Sequence, residues 1–149
     1  METRNTFFRL IEFAIFLGWA CVAYGETAPC DLLTQNQVNT ILEAKFGTGA
    51  PIATTGCSWS AAGPPRIVVS VSMQSEKMFT AAKSPGLAQT TKTSIPGLGD
   101  EAVFVGTENF SSLWLRKGTK FPLIRIYGLP VSAAQTKLKA LATDVLSKL

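Results

Sequence analysis

Between Glu101 and Gly128 the chain passes through three short runs of strand-forming residues, "EAVFVG", "SSLWLRK" and "FPLIRIYG", separated by turns at "TENF" and "GT". Connections this short join only antiparallel neighbours, because a parallel pair needs a crossover of a dozen or more residues. A three-stranded meander is therefore expected, and it must bury one face. Alternation puts Leu113 and Leu115 on one side and Trp114 and Arg116 on the other. In the next strand Ile124 and Ile126 oppose Leu123, Arg125 and Tyr127.

Helical patterns bracket this sheet. "CDLLTQNQVNTILEAKFGTG" predicts a helix with Thr34 as N-cap and Gln37 completing a capping box. Val38, Ile41, Leu42, the stem of Lys45 and Phe46 line one face, and Gly47 supplies a stop. At the other end, "PVSAAQTKLKALATDVLSKL" predicts a helix capped by Ser132, with an apolar stripe of Leu138, Leu141, Ala142, Val145 and Leu149. Between them "TTGCSWSA" and "GPPRIVVSVSM" predict strands, the second with Ile67, Val69, Val71 and Met73 on one face. "SEKMFTAAKS" predicts a short helix closed by Pro85 and Gly86, and residues 84–100 a long polar loop. The sum is an α+β fold: a two-layer sandwich, mainly antiparallel sheet, with amphipathic helices on one face and the other face open. A chain of 149 residues with 46% hydrophobic content sustains one such core, not two.

The first 25 residues stand apart. Arg4 and Arg9 precede an apolar run from Leu10 to Tyr24, broken by Glu12 and Gly18, which suits a signal-peptide core better than a membrane span. Ala23 and Gly25 have the small-residue spacing of a cleavage site, so the expected cut follows Gly25 and leaves residues 26–149 as a single exported domain, periplasmic or secreted. A retained N-terminal anchor is the alternative. Lipidation at Cys21 is a third route to the membrane; Leu17 lies one place too far from the cysteine, and Trp19 stands where a small residue is usual. Arg4 and Arg9 are offset by Glu2 and Glu12, so the net charge of +4 belongs to the domain. Its basic residues are scattered apart from "RKGTK", which is no nucleic-acid footprint.

Past the leader only Cys30 and Cys57 remain, and an even count in an oxidising compartment predicts a disulfide between them. The chain contains no histidine. That removes Ser-His-Asp hydrolysis, Cys-His proteolysis and ordinary zinc enzymes together. No Ser-x-x-Lys motif occurs, and the lysines near Ser75 and Ser147 are ordinary helix sequence. No catalytic residue, metal ligand or cofactor is assigned. A carboxylate-dependent hydrolase using Asp100, Glu101 or Asp144 is the enzymatic alternative. An inhibitor or accessory domain presenting residues 84–100 is the other.

"PGLGDEAVF" looks most like a site. A phosphate-binding glycine loop must open a helix, however, and here the glycines precede a strand. Pro96-Gly97 suits a tight turn, Gly99 a second special conformation, and Asp100 a bond to nearby backbone amides. Gly97, Gly99 and Asp100 are therefore expected to be structural. The more suggestive group is Trp114, Arg116, Arg125 and Tyr127, which strand pairing would gather on the face away from the helices. Aromatics with arginines are what binding surfaces favour.

Taken in order, "PCDLLTQNQV", "CSW" before a Val-rich strand, "PGLGDEAVF", "LWLRKG" and "ALATDVLSKL" resemble a family of exported bacterial domains of unknown function, common among actinobacterial envelope lipoproteins. The resemblance covers nearly all of residues 29–149. It implies a compact α+β sandwich with Cys30 and Cys57 as the paired cysteines, and brings no activity with it. The expected function is non-catalytic binding of a small ligand or an envelope partner through the open sheet face.

Overall fold

The computed structural model of the chain describes residues 27–86 and 89–149; the leader, the cut after Gly25 and Cys21 lie outside them. Seven strands form one sheet: β1 (Ala50–Ile52), β2 (Gly56–Ser60), β3 (Val68–Gln74), β4 (Thr91–Ser94), β5 (Glu101–Gly106), β6 (Phe110–Arg116) and β7 (Phe121–Tyr127). Their order is β1-β2-β3-β7-β6-β5-β4, and every pairing is antiparallel. The helices are α1 (Gln35–Leu42), α2 (Glu76–Lys83) and α3 (Val131–Ser147). The fold is the α+β sandwich expected from the sequence, with the meander β5-β6-β7 at its centre.

The period-2 pattern of these strands sets the main core. Val69, Val71, Leu113, Leu115, Ile124 and Ile126 point to one face and are almost wholly buried. Against them lie α3, through Ala134, Leu138, Leu141, Ala142 and Val145, and α1, through Val38 and Leu42. Burying a side chain of this size stabilises a fold by roughly 1.5–3 kcal/mol, which is why these two helices hold their places without strong individual propensity. Ion pairs and caps then fix them. Lys137 meets Glu43 at 3.2 Å, and the Lys117 ammonium donates to the Leu146 carbonyl at the end of α3 at 2.6 Å, where positive charge suits the helix dipole.

Helix α1 starts as its capping box requires: the Gln37 amide donates to the Thr34 hydroxyl, and the Thr34 amide to Gln37 Oε1. It stops sooner than Gly47. Glu43 takes the left-handed conformation (φ 54°), and Phe46 is carried to the sheet, where it bridges to Ala61. Two side chains of α1 hold it there: Asn39 Oδ1 accepts from the Phe46 amide at 2.8 Å, and Gln35 Nε2 donates to its carbonyl at 2.6 Å. Helix α3 likewise starts earlier than expected. Pro130 is its N-cap, its carbonyl accepting from the Ala134 amide, so Ser132 lies inside the first turn and caps nothing. The stretch 84–100 is not all loop, because residues 91–94 form β4 at one margin of the sheet; β1, at the other margin, was not expected either.

Cys30 and Cys57 are bonded, with Cα atoms 5.0 Å apart. Cys30 lies in a single 3-10 turn (Pro29–Asp31) and Cys57 is fully buried in β2, so the bond ties the start of the domain to the sheet.

The Gly-Leu-Gly-Asp segment is a structural turn. Gly97 and Gly99 have φ of 80° and 60°, a region that costs any other L-residue energy. Asp100 Oδ2 accepts from the Gly118 amide at 2.7 Å, and the Asp100 amide donates to the Arg116 carbonyl at 2.8 Å. The turn is thereby bolted to the β6–β7 hairpin. A Cβ on Gly99 would stand 2.5 Å from the Arg116 carbonyl oxygen, whereas one on Gly97 would meet nothing within 4 Å. Gly99→Ala should therefore cost about 2 kcal/mol or more and Gly97→Ala only about 1 kcal/mol, read as midpoint shifts in urea at constant slope.

Candidate functional site

The second face of the sheet is covered unequally. Helix α2 lies on it, not with α1 and α3, and corrects the expectation of an open face. Ser75 caps α2 by accepting from the Met78 amide. Phe79 then packs with Val103, Trp114, Phe121 and Leu123 in a small second core, its ring 5.5 Å from that of Phe121. Lys83, at the end of the helix, pairs with Glu101 of β5 at 3.0 Å. Beyond α2 the face is open and mostly hydroxylic, with half-buried Ser58, Ser70 and Ser72 on β2 and β3.

The four residues expected on this face all lie on it, but they do not form one surface. Trp114 is opposite both Val103 and Leu123 and is only 8% exposed, because Phe79 covers it. It is a core residue with one edge at a groove, not a free docking aromatic. Arg116 is half-buried and lies across from Glu101, whose carboxylate is taken by Lys83. Trp114 therefore separates it from Arg125. Tyr127 ends β7, half-buried, its ring 5.7 Å from that of Phe110.

Arg125 is the centre of what remains. Its strand partners are Ser112 on β6 and Ser70 on β3, so no acid lies beside it in the sheet. Its guanidinium carbon lies 5.3 Å from the Phe110 ring centroid, a cation–π contact that holds the side chain along the sheet. Arg125 Nε is buried and has no hydrogen-bond partner among the described residues. Both ion pairs found among those residues use lysines, so no carboxylate neutralises Arg125. A buried donor left unmade costs roughly 1–3 kcal/mol, and the Nε of Arg116 on the same face is left in the same condition; Arg125 differs in lining a groove.

Arg125 lines a groove of about 160 Å³ between the end of α2 and strands β4 to β7. Val105, Phe110 and Trp114 supply apolar wall, Ala82 the rim, and Ser112 the floor. Lys92 of β4 closes one side, its ammonium donating to the carbonyls of Ala82 (2.7 Å) and Ser84. The Ser112 hydroxyl donates to the Val105 carbonyl at 3.3 Å. Phe110, Ser112 and Val105 were missed as site residues, as was Lys92, which fell in the supposed loop. The signal for Phe110 was present: it shares the parity of Ser112 and Trp114, but extending β6 back to it required moving the turn out of "TENF".

Other concavities offer less chemistry. One of about 210 Å³ beside the disulfide is lined by Thr27, Ala28, Pro29, Thr54, Thr55 and Met73, with no charged group. Another, of about 270 Å³, adjoins the groove, but its Lys83 and Glu101 satisfy each other. The carboxylates considered for hydrolysis are dispersed. Asp100 is bound to the Gly118 amide and Glu101 to Lys83, on the α2 side of the sheet, whereas Asp144 rides on α3 on the opposite side. Among the described residues no three histidine, cysteine or acidic side chains come together to hold a metal ion. No helix among them is long and apolar enough to cross a membrane.

Comparison with protein-family models, with curated proteins and with solved structures finds no match to this chain.

Proposed function

We propose that this chain is an exported, non-catalytic binding domain that engages its ligand through the Arg125 groove, and that it belongs with the exported bacterial domains it resembles. The observation that carries the binding function is the Arg125 guanidinium, which lines the groove, lies against Phe110 and has a buried Nε with no partner among the described residues. A buried donor without a partner is destabilising alone and is relieved once an acceptor arrives, which supports a site built for an occupant. Export is supported by the bond between Cys30 and Cys57, since such bonds persist in oxidising compartments. The resemblance is supported by the same bond and by the Gly97–Asp100 turn.

The test compares wild type with Arg125→Gln, both checked for unchanged melting. Each is immobilised, exposed to an extract of the cell envelope, and its retained material identified by mass spectrometry. Wild type should retain a component that Arg125→Gln releases. Equal retention by both proteins would remove the groove as the binding site.

A further inference from the structure

We infer that the groove takes a small carboxylate carried on a flat apolar ring, about the size of benzoate; this rests on the groove being the binding site. The guanidinium selects the anion. A guanidinium presents parallel pairs of N–H donors, the spacing of which matches the two oxygens of a carboxylate. Lys92 also lines the groove and keeps its charge, but two of its three N–H donors are given to the carbonyls of Ala82 and Ser84, so the fork of Arg125 is what orients the anion. The hydroxyl proton of Ser112 is likewise used by the Val105 carbonyl.

The walls select the body. Val105, Phe110 and the exposed edge of Trp114 are apolar, and the Phe110 ring already lies against the guanidinium, so a flat group bound there continues the stack. The size agrees, for the groove measures about 160 Å³ and an apolar cavity of about 150 Å³ accommodates benzene.

The experiment titrates the purified protein with sodium benzoate and follows the Arg125 Nε and Trp114 indole N–H resonances in ¹H–¹⁵N spectra. Both should shift and saturate with a Kd of about 1 mM or tighter. Benzamide, which lacks the charge, and acetate, which lacks the ring, should each bind at least about tenfold more weakly. Arg125→Gln should lose benzoate by about tenfold or more, and Arg125→Lys, which keeps the charge and stem without the fork, should fall between the two. Should Arg125→Gln fail to fold, the Lys variant carries the comparison. No shift with benzoate at about 10 mM overturns the ligand class, yet Arg125-dependent retention of an envelope component would still stand. Equal binding of acetate and benzoate overturns the ring. Benzoate binding that survives Arg125→Gln overturns the inference and the groove with it.

Discussion

Trp114→Ala should lower the stability of the domain by about 3–5 kcal/mol, because it empties the centre of the second core. The side chain is 8% exposed and packs with Phe79, Val103, Phe121 and Leu123, so little of the lost volume can be filled by collapse. For a domain of this length the melting temperature should fall by roughly 10–20 °C. A loss of binding in this variant would report unfolding of α2 from the sheet rather than removal of a contact. Trp114→Phe separates the two effects: it retains most of the packing and should recover more than half of the stability, while still altering the groove wall. If Trp114→Ala melted within about 2 °C of wild type, α2 could not be seated on the sheet as described.

The second large effect concerns Cys30 and Cys57. Replacing both with alanine should cost about 3–4 kcal/mol, the loop-closure entropy of a cross-link spanning 27 residues. The cost arises chiefly in the unfolded chain, so the double variant should retain its fold at low temperature but reach its unfolding midpoint at distinctly lower urea. Reduction of the wild type should move the midpoint by a similar amount. A midpoint unchanged by either treatment would mean that the 3-10 turn at Pro29–Asp31 docks on β2 without needing the bond.

The parts of this fold legible in the sequence are those where one periodicity dominates. The meander β5-β6-β7 was readable because Leu113, Leu115, Ile124 and Ile126 alternate cleanly and the turns between them are short. The start of α1 was readable because Thr34 and Gln37 form a local capping box that needs no tertiary help. Where tertiary contacts decide, local signals misled. Gly47 looked like a helix stop, but Asn39 and Gln35 had already drawn Phe46 away to the sheet. Strand β4, "TKTS", has no apolar alternation and exists because β5 offers it an edge, while β1 is three residues with a proline in the middle.

The site was half legible for the same reason. Parity placed Trp114, Arg116, Arg125 and Tyr127 on one face correctly. It could not show that α2 would cross that face, since a single large buried residue, Phe79, fixes the helix there. Nor could it show that Lys92 would reach back to the end of α2 and close the groove.

The margins of the sheet have a consequence for life at high concentration. Exposed rows of backbone amides invite a foreign strand to zip on, and a sheet of seven strands has two such rows. Here Pro51 leaves Ala50 and Ile52 as the only donors along β1, and β4 spans just Thr91–Ser94. Neither border is long enough to template a ribbon of stacked copies, so the molecule is built to stay discrete in a crowded compartment rather than to polymerise.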